Sequence, residues 1–138
     1  MTSRIYIKYA KLHHFDWLNS KDQHIDEATL RKKIIDQQIL IVTREETLIG
    51  WLRFGYFWDE IPFMNMLFLT KENRYKGIGK RLVGYWEDEM KKQQQKMVLT
   101  STQANETAQH FYRKLGYQDT GSLLLEGEPT EIFFRKML

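Results

Sequence analysis

Residues 73–81 read NRYKGIGKR and directly follow the apolar run FMNMLFLT. Flexible backbone, concentrated positive charge and a helix start within one short stretch suit the binding of a phosphate. Gly77 and Gly79 let the backbone approach a ligand and take a positive φ without a Cβ penalty. The first N–H groups of a helix have no intrahelical acceptor and the macrodipole is positive there, so several of them can point at one anion. Arg74 and Lys76 would add charge around it. Two other phosphate motifs are excluded. A P-loop needs G-x-x-x-x-G-K-[ST], but Lys80 is followed by Arg81 and position 74 is not glycine. A dinucleotide fingerprint read from Gly77 would need its third glycine where Leu82 stands. The competing reading is a glycine-softened turn with a cationic surface.

Other chemistry is sparse. Asp59 and Glu60 lie within the aromatic stretch FGYFWDEIPFM. They either draw in a cation and, if desolvated, accept a proton, or form an ordinary exposed turn. His13, His14, His24 and His110 show no ligand spacing beyond the adjacent pair, which cannot both face one ion from a helix, so no metal is expected. The absence of cysteine excludes a disulfide framework, a thiolate zinc site and a cysteine nucleophile.

The elements that must position these groups follow from hydrophobic periodicity. RIYIKYA (4–10) alternates and predicts a strand; KLHHFDWLNSKD and DEATLRKKIIDQQ predict two helices, the second with Leu30 and Ile34 one turn apart. ILIVTREETLIGWLRFGYF predicts two strands around a tight turn at 44–47, and FMNMLFLT (63–70) a buried strand. From Gly79 the period changes, with Ile78, Leu82, Trp86 and Met90 forming one helical stripe to about Gln93. KMVLTST predicts a strand. NETAQHFYRKLGY predicts a helix with Asn105 as N-cap, Ala108, Phe111, Tyr112 and Leu115 on one face, and Gly116 as its stop. Strands around 117–125 and 131–137 complete the order βααβββαβαββ, an α/β fold on a mixed sheet flanked by helices. The 138 residues are expected to form one domain, 1–138, since domains cluster near roughly 100–150 residues.

Charge is unevenly placed. Lys71, Arg74, Lys76, Lys80 and Arg81 face only Glu72 within 71–81, a local excess above the net +3 of the whole chain. So compact a spot suits a small polyanion and not a nucleic-acid track. No apolar leader and no run near ~18 apolar residues is seen, so no membrane partner and a cytoplasmic location are expected.

Arg74-Tyr75-Lys76-Gly77-Ile78-Gly79 matches the signature R/Q-x-x-G-x-G/A of the GNAT family of N-acetyltransferases, between an apolar strand and a helix. NETAQHFYRKLGY resembles that family's second signature at Asn105, Ala108, Phe111, Tyr112, Gly116 and Tyr117. The order of elements also resembles the family fold, so the likeness covers nearly the whole chain.

The resemblance implies acetyl-CoA as cosubstrate and no metal. It assigns the pyrophosphate to the loop of Arg74, Tyr75, Lys76, Gly77, Ile78, Gly79 and Lys80, chiefly through backbone N–H groups of Tyr75 to Lys80. It assigns the pantetheine arm to the backbone of Leu67, Phe68 and Leu69. Asn105 matches a position that commonly contacts the cofactor, its other reading being a plain N-cap. Tyr112 matches the usual tyrosine acid that protonates the departing thiolate, its other reading being a core tyrosine. A glutamate common in the family, nine residues before the loop arginine, is here Asn65, which cannot take a proton. A lysine-like amine is neutral only about 0.04% of the time at pH 7, so a base is needed, and Asp59 and Glu60 are the nearest candidates; water is the other. The aromatic run Trp51, Phe54, Tyr56, Phe57 and Trp58 reads as part core and part pocket wall.

The expected activity is direct transfer of an acetyl group from acetyl-CoA to a primary amine, small molecule or peptide, with a non-catalytic acyl-CoA-binding regulatory module as the alternative. The C-terminal EIFFRKML either supports a homodimer or is an ordinary sheet strand.

Overall fold

The computed structural model describes residues 4–138. In β1 (Ile5–Tyr9), Ile5, Ile7 and Tyr9 are half-buried while Tyr6 and Lys8 face solvent, as the alternation requires. Two short helices follow: α1 (Phe15–Lys21), burying Phe15 and Leu18, and α2 (Glu27–Ile35), burying Leu30 and Ile34. Asp26 caps α2 by accepting the Thr29 N–H at 2.8 Å. β2 (Ile39–Arg44) and β3 (Thr47–Phe57) form an antiparallel pair with a bulge between Val42 and Thr43. Then come β4 (Ile61–Leu69), α3 (Ile78–Lys92), β5 (Met97–Gln103), α4 (Ala108–Lys114), β6 (Gln118–Leu123) and β7 (Glu131–Met137). The order βααβββαβαββ is the expected one.

The strands form one seven-stranded sheet in the order β1-β2-β3-β4-β5-β7-β6. The sheet is mixed: β4 and β5 run parallel, with Phe63 facing Leu99 and Met64 facing Thr100, while β1–β2, β2–β3, β5–β7 and β6–β7 are antiparallel. A parallel pair needs a crossover, and α3 is that crossover. β7 is paired on one side with β5 and on the other with β6, so the C-terminal segment is an ordinary sheet strand.

The chain divides into two compact units, one comprising residues up to Phe54 with Met66–Tyr85, the other Gly55–Asn65 with Trp86–Leu138. In the first, α1 and α2 bury Phe15, Leu18, Leu30 and Ile34 with Ile39, Ile41 and Trp51 of the sheet. Trp51 stacks on Phe68 at 4.5 Å and meets Trp17 edge-on. Arg53 and Asp22, both buried, form a two-pronged ion pair at 2.9 and 3.4 Å, so neither charge is left uncompensated. In the second unit, Trp86, Met90, Val98, Tyr112, Tyr117 and Phe134 are buried. Tyr117 donates to Glu87 at 2.8 Å, and Lys136 reaches the other oxygen of that carboxylate at 3.0 Å.

Two local expectations need correction. β4 is not uniformly buried: Pro62 and Met64 are, but Asn65 is exposed and Met66 to Leu69 are half-buried. Asn105 is not the N-cap of α4. It lies in an exposed turn, and the helix starts at Ala108 behind Thr107. Part of the aromatic run is core, as expected: Trp51 and Phe54 are fully buried, while Phe57 at the end of β3 and Trp58 after it are exposed.

Candidate active site

The phosphate loop is built in the first unit. β4 ends at Leu69, and Thr70 is tied back to β3 by its N–H on the Ile49 carbonyl at 2.8 Å. One 3-10 turn follows over Lys71–Asn73. Tyr75 at φ 62° and Gly77 at φ 81° then reverse the chain before α3 begins. Arg74 N–H bonds to the Lys71 carbonyl, and Arg81 N–H to the Gly77 carbonyl. Between those two, the N–H groups of Tyr75, Lys76, Gly77, Ile78, Gly79 and Lys80 have no acceptor among the described residues. The row lies at the positive end of a 15-residue helix. Lys71, Lys76, Lys80 and Arg81 are exposed around it.

Arg74 does something the sequence did not indicate. Its guanidinium turns back, Nε donating to the Leu69 carbonyl at 2.8 Å with the planar group 5.5 Å from the Phe68 ring centre. It therefore clamps the loop onto the end of β4. Leu67, Phe68 and Leu69, the expected pantetheine segment, are half-buried there.

Asn73, Arg44 and Thr70 were not anticipated either. Asn73 is buried and bonds through both ends of its amide: Nδ2 donates to Thr70 Oγ1 at 2.7 Å, and Oδ1 accepts from Arg44 Nε and Nη2 at 3.1 and 2.8 Å. This network fixes the turn that precedes the donor row. No local motif could have shown it, because Arg44 stands 29 residues away.

Gly50 is the other hidden requirement. A Cβ there would run into the Phe68 carbonyl oxygen and lie 2.6 Å from Leu69 Cδ2, so β3 can approach the end of β4 only as glycine.

Tyr112 and Asn105 lie in the second unit. Tyr112 is buried on α4, with ring contacts to Phe111, Tyr117 and Phe134 at 5.4, 5.8 and 6.0 Å. Burial pushes its hydroxyl up to about 12, with the adjacent Thr100 side chain offsetting part of the rise. Thr100 donates its own proton to the Met64 carbonyl at 3.0 Å. The phenol is thus neutral at physiological pH, a donor and not a base. Gly116, at φ 93°, ends the helix with Tyr117 N–H on the Tyr112 carbonyl at 3.0 Å and Gly116 N–H on the Arg113 carbonyl at 3.1 Å. That stop folds Tyr117 against Tyr112. Asn105 is exposed, and no hydrogen bond of its side chain is found among the described residues.

Asp59 and Glu60 occupy the exposed turn between β3 and β4, held by Glu60 N–H on the Phe57 carbonyl and by Gln95 Nε2 on the Glu60 carbonyl, both at 3.1 Å. At ~3.3 Å per strand residue, Glu60 lies roughly 16 Å along the strand from Asn65. The desolvation on which a base role depended is missing. Among the described residues no group of acidic and histidine side chains could hold a metal ion, and no helix is long and apolar enough to cross a membrane.

Residues 36–119 match the model of the acetyltransferase (GNAT) domain. Solved structures give the same fold. Ard1 from Thermoplasma volcanium superposes with a TM-score of 0.83 at 12% identity, covering 97% of both chains. A ribosomal-protein-alanine N-acetyltransferase from Brucella melitensis gives 0.80 at 17%, covering 96% of this chain and 99% of that one. The PaiA N-acetyltransferase from Thermoplasma acidophilum, in complex with coenzyme A, gives 0.77 at 18%, covering 98% and 99%. No sequence match to a functionally curated protein is found. With its donor row between strand and helix and a family match over more than half its length, the chain belongs to the GNAT acetyltransferase family.

Proposed function

We propose that the protein transfers the acetyl group of acetyl-CoA directly to a primary amine within a ternary complex. The observation that carries this is the row of unbonded N–H groups from Tyr75 to Lys80, ringed by cations, which suits a pyrophosphate. A related fold binds coenzyme A, in the Thermoplasma acidophilum enzyme, which supports the donor's identity. The pantetheine amides pair with the backbone of Leu67 to Leu69, and the exposed Asn105 contacts the cofactor through its amide.

In the reaction the amine nitrogen attacks the thioester carbonyl. A C–N bond forms, the C–S bond breaks with its electron pair on sulfur, and nitrogen sheds a proton. With no cysteine in the chain, no cysteinyl acyl intermediate can form. Rate comes from holding the two reactants together. Tyr112 supports the leaving sulfur. A thiol of ordinary acidity has a pKa near ~8.5, about 3.5 below the phenol at about 12, so full transfer to a relaxed thiolate is uphill by ~5 kcal/mol. Tyr112 therefore acts as a hydrogen-bond donor while negative charge builds on sulfur. Asn65 takes no proton, and Asp59 and Glu60 are exposed and remote from it, so the amine loses its proton to water. The acidic turn keeps a lesser part, attracting cationic acceptors.

Thermal unfolding in parallel with acetyl-CoA, CoA, ATP and NAD tests the cradle. At a hundredfold excess over its dissociation constant a ligand adds about 2.7 kcal/mol, several degrees in Tm. Both CoA forms should shift the midpoint and NAD should not; no shift with either would remove the reading's basis. Turnover on a panel of amines follows, with Tyr112→Phe expected to lose at least about tenfold in kcat at nearly unchanged KM for acetyl-CoA. Equal turnover would remove Tyr112 from the mechanism, and binding without any turnover would favour a non-catalytic CoA-binding module.

A further inference from the structure

Phosphate binding by backbone N–H groups makes no use of the Tyr75 side chain, yet that side chain is the most exposed large apolar group in the described chain, at 99%. Its backbone sits at φ 62°, a region that bulky side chains rarely adopt. Asparagine or glycine would occupy it with less strain. Neither packing nor a polar contact among the described residues repays the tyrosine. Its neighbour Arg74 is turned back onto the Leu69 carbonyl and the Phe68 ring, leaving the Tyr75 ring to stand out from the loop alone.

The ring opens the row of unbonded N–H groups that runs on to Lys80. Acetyl-CoA carries an adenosine on the side of its pyrophosphate away from the thioester. A pyrophosphate resting on this row therefore brings a purine close to the loop, within reach of the exposed phenol ring. Aromatic side chains stack on bases through their faces without needing a hydrogen-bond pattern.

We propose that the Tyr75 side chain stacks on the purine of acetyl-CoA, so that the loop recognises the nucleotide as well as its phosphates. This rests on the acetyl-CoA reading above. Tyr75 is then a specificity residue, selecting the full cofactor over carriers that have the acyl-pantetheine arm and a phosphate but no base.

Titration calorimetry on three proteins with two ligands tests it. The proteins are the parent, Tyr75→Phe, which keeps the ring, and Tyr75→Asn, which removes the ring while tolerating a positive φ. The ligands are acetyl-CoA and S-acetyl-4′-phosphopantetheine, which lacks the adenosine. Tyr75→Asn should weaken acetyl-CoA by roughly 5- to 100-fold and leave the truncated ligand within about twofold. Tyr75→Phe should match the parent on both. Unchanged acetyl-CoA affinity in Tyr75→Asn overturns the proposal. So does an equal weakening of both ligands, since a ligand without a base can be weakened only by distortion of the loop. A parent that binds neither ligand sinks the acetyl-CoA reading itself, a result distinct from either.

Discussion

Asn73 shows how much of the phosphate loop rests on one uncharged side chain. It satisfies the Arg44 guanidinium twice and Thr70 once while buried. Asn73→Ala would leave a half-buried guanidinium without its acceptor, and hydrogen bonds to charged groups are worth about 1.5–3 kcal/mol. We expect a Tm lower by several degrees and weaker acetyl-CoA binding, because the turn that aims the donor row loses its anchor. Asn73→Asp separates the two effects. It can still accept from Arg44, so calorimetric stability should stay near the parent's, while the added charge beside a pyrophosphate site should lower affinity. If Asn73→Asp binds acetyl-CoA as well as the parent, the residue lies farther from the ligand than the loop geometry implies. The sequence made Arg74, Gly77 and Gly79 conspicuous because their types carry chemistry at short spacing. Asn73 was silent because its meaning depends on Arg44, a partner brought up only by folding.

At the scale of elements, the hydrophobic pattern was a good guide wherever burial is one-sided. β1 alternates, α3 carries its stripe through Leu82, Trp86 and Met90, and Gly116 stops α4 in the left-handed conformation expected of it. It failed where an apolar run does something other than pack, as in β4, whose residues beyond Met64 are only half-buried or exposed. It failed too at the start of α4, where Asn105 looked like a cap but serves an exposed turn. Two glycines sharpen the lesson, since only structure tells them apart. Gly50→Ala would press a methyl onto a main-chain oxygen of β4 as well as onto Leu69 Cδ2 and Val42 Cγ1. Overpacking of side chains costs about 1–3 kcal/mol, and a backbone atom yields less readily, so a loss of about 3 kcal/mol is expected. Gly84→Ala, on α3 with nothing within 4 Å of the new Cβ, should instead stabilise by about 0.5–1 kcal/mol. Urea midpoints that move in the same direction for both would contradict this account of β3 against β4.

For the molecule as a whole, the buried titratable groups fix a window of stability against pH. His14 is buried with Nδ1 accepting the Lys11 N–H at 2.8 Å, and desolvation, helped by His13 and Lys8, holds its pKa below the usual 6.5. The folded state thus prefers neutral imidazole. Its contribution is complete above about pH 6.5 and is lost as pH falls, because the unfolded chain takes up the proton first. Asp26, lowered by the Thr29 N–H, and Asp119, lowered by its hydrogen bond with Arg113, act the same way but only below their ordinary value of 3.8. At the alkaline end Tyr112 and Tyr117 are both raised by burial, the latter also by Glu87. Their contribution is complete below about pH 10 and is lost above it, when the unfolded phenols ionise and the folded ones cannot. Lys33 opposes them, since desolvation lowers it from 10.5 and the folded state gains relative to the unfolded as pH rises toward that value. Tyr56 is raised by desolvation as well, so three tyrosines stand against one half-buried lysine and leave a net loss. Tm measured from pH 4 to 11 should therefore be highest between about 6.5 and 10 and fall on both sides. His14→Gln, which keeps an acceptor for Lys11, should flatten the slope between pH 5 and 6.5 without touching the alkaline fall. Tyr117→Phe should soften the alkaline fall and leave the acid slope intact. A His14→Gln protein that loses stability between pH 6.5 and 5 as steeply as the parent would show that some other group takes up the proton there.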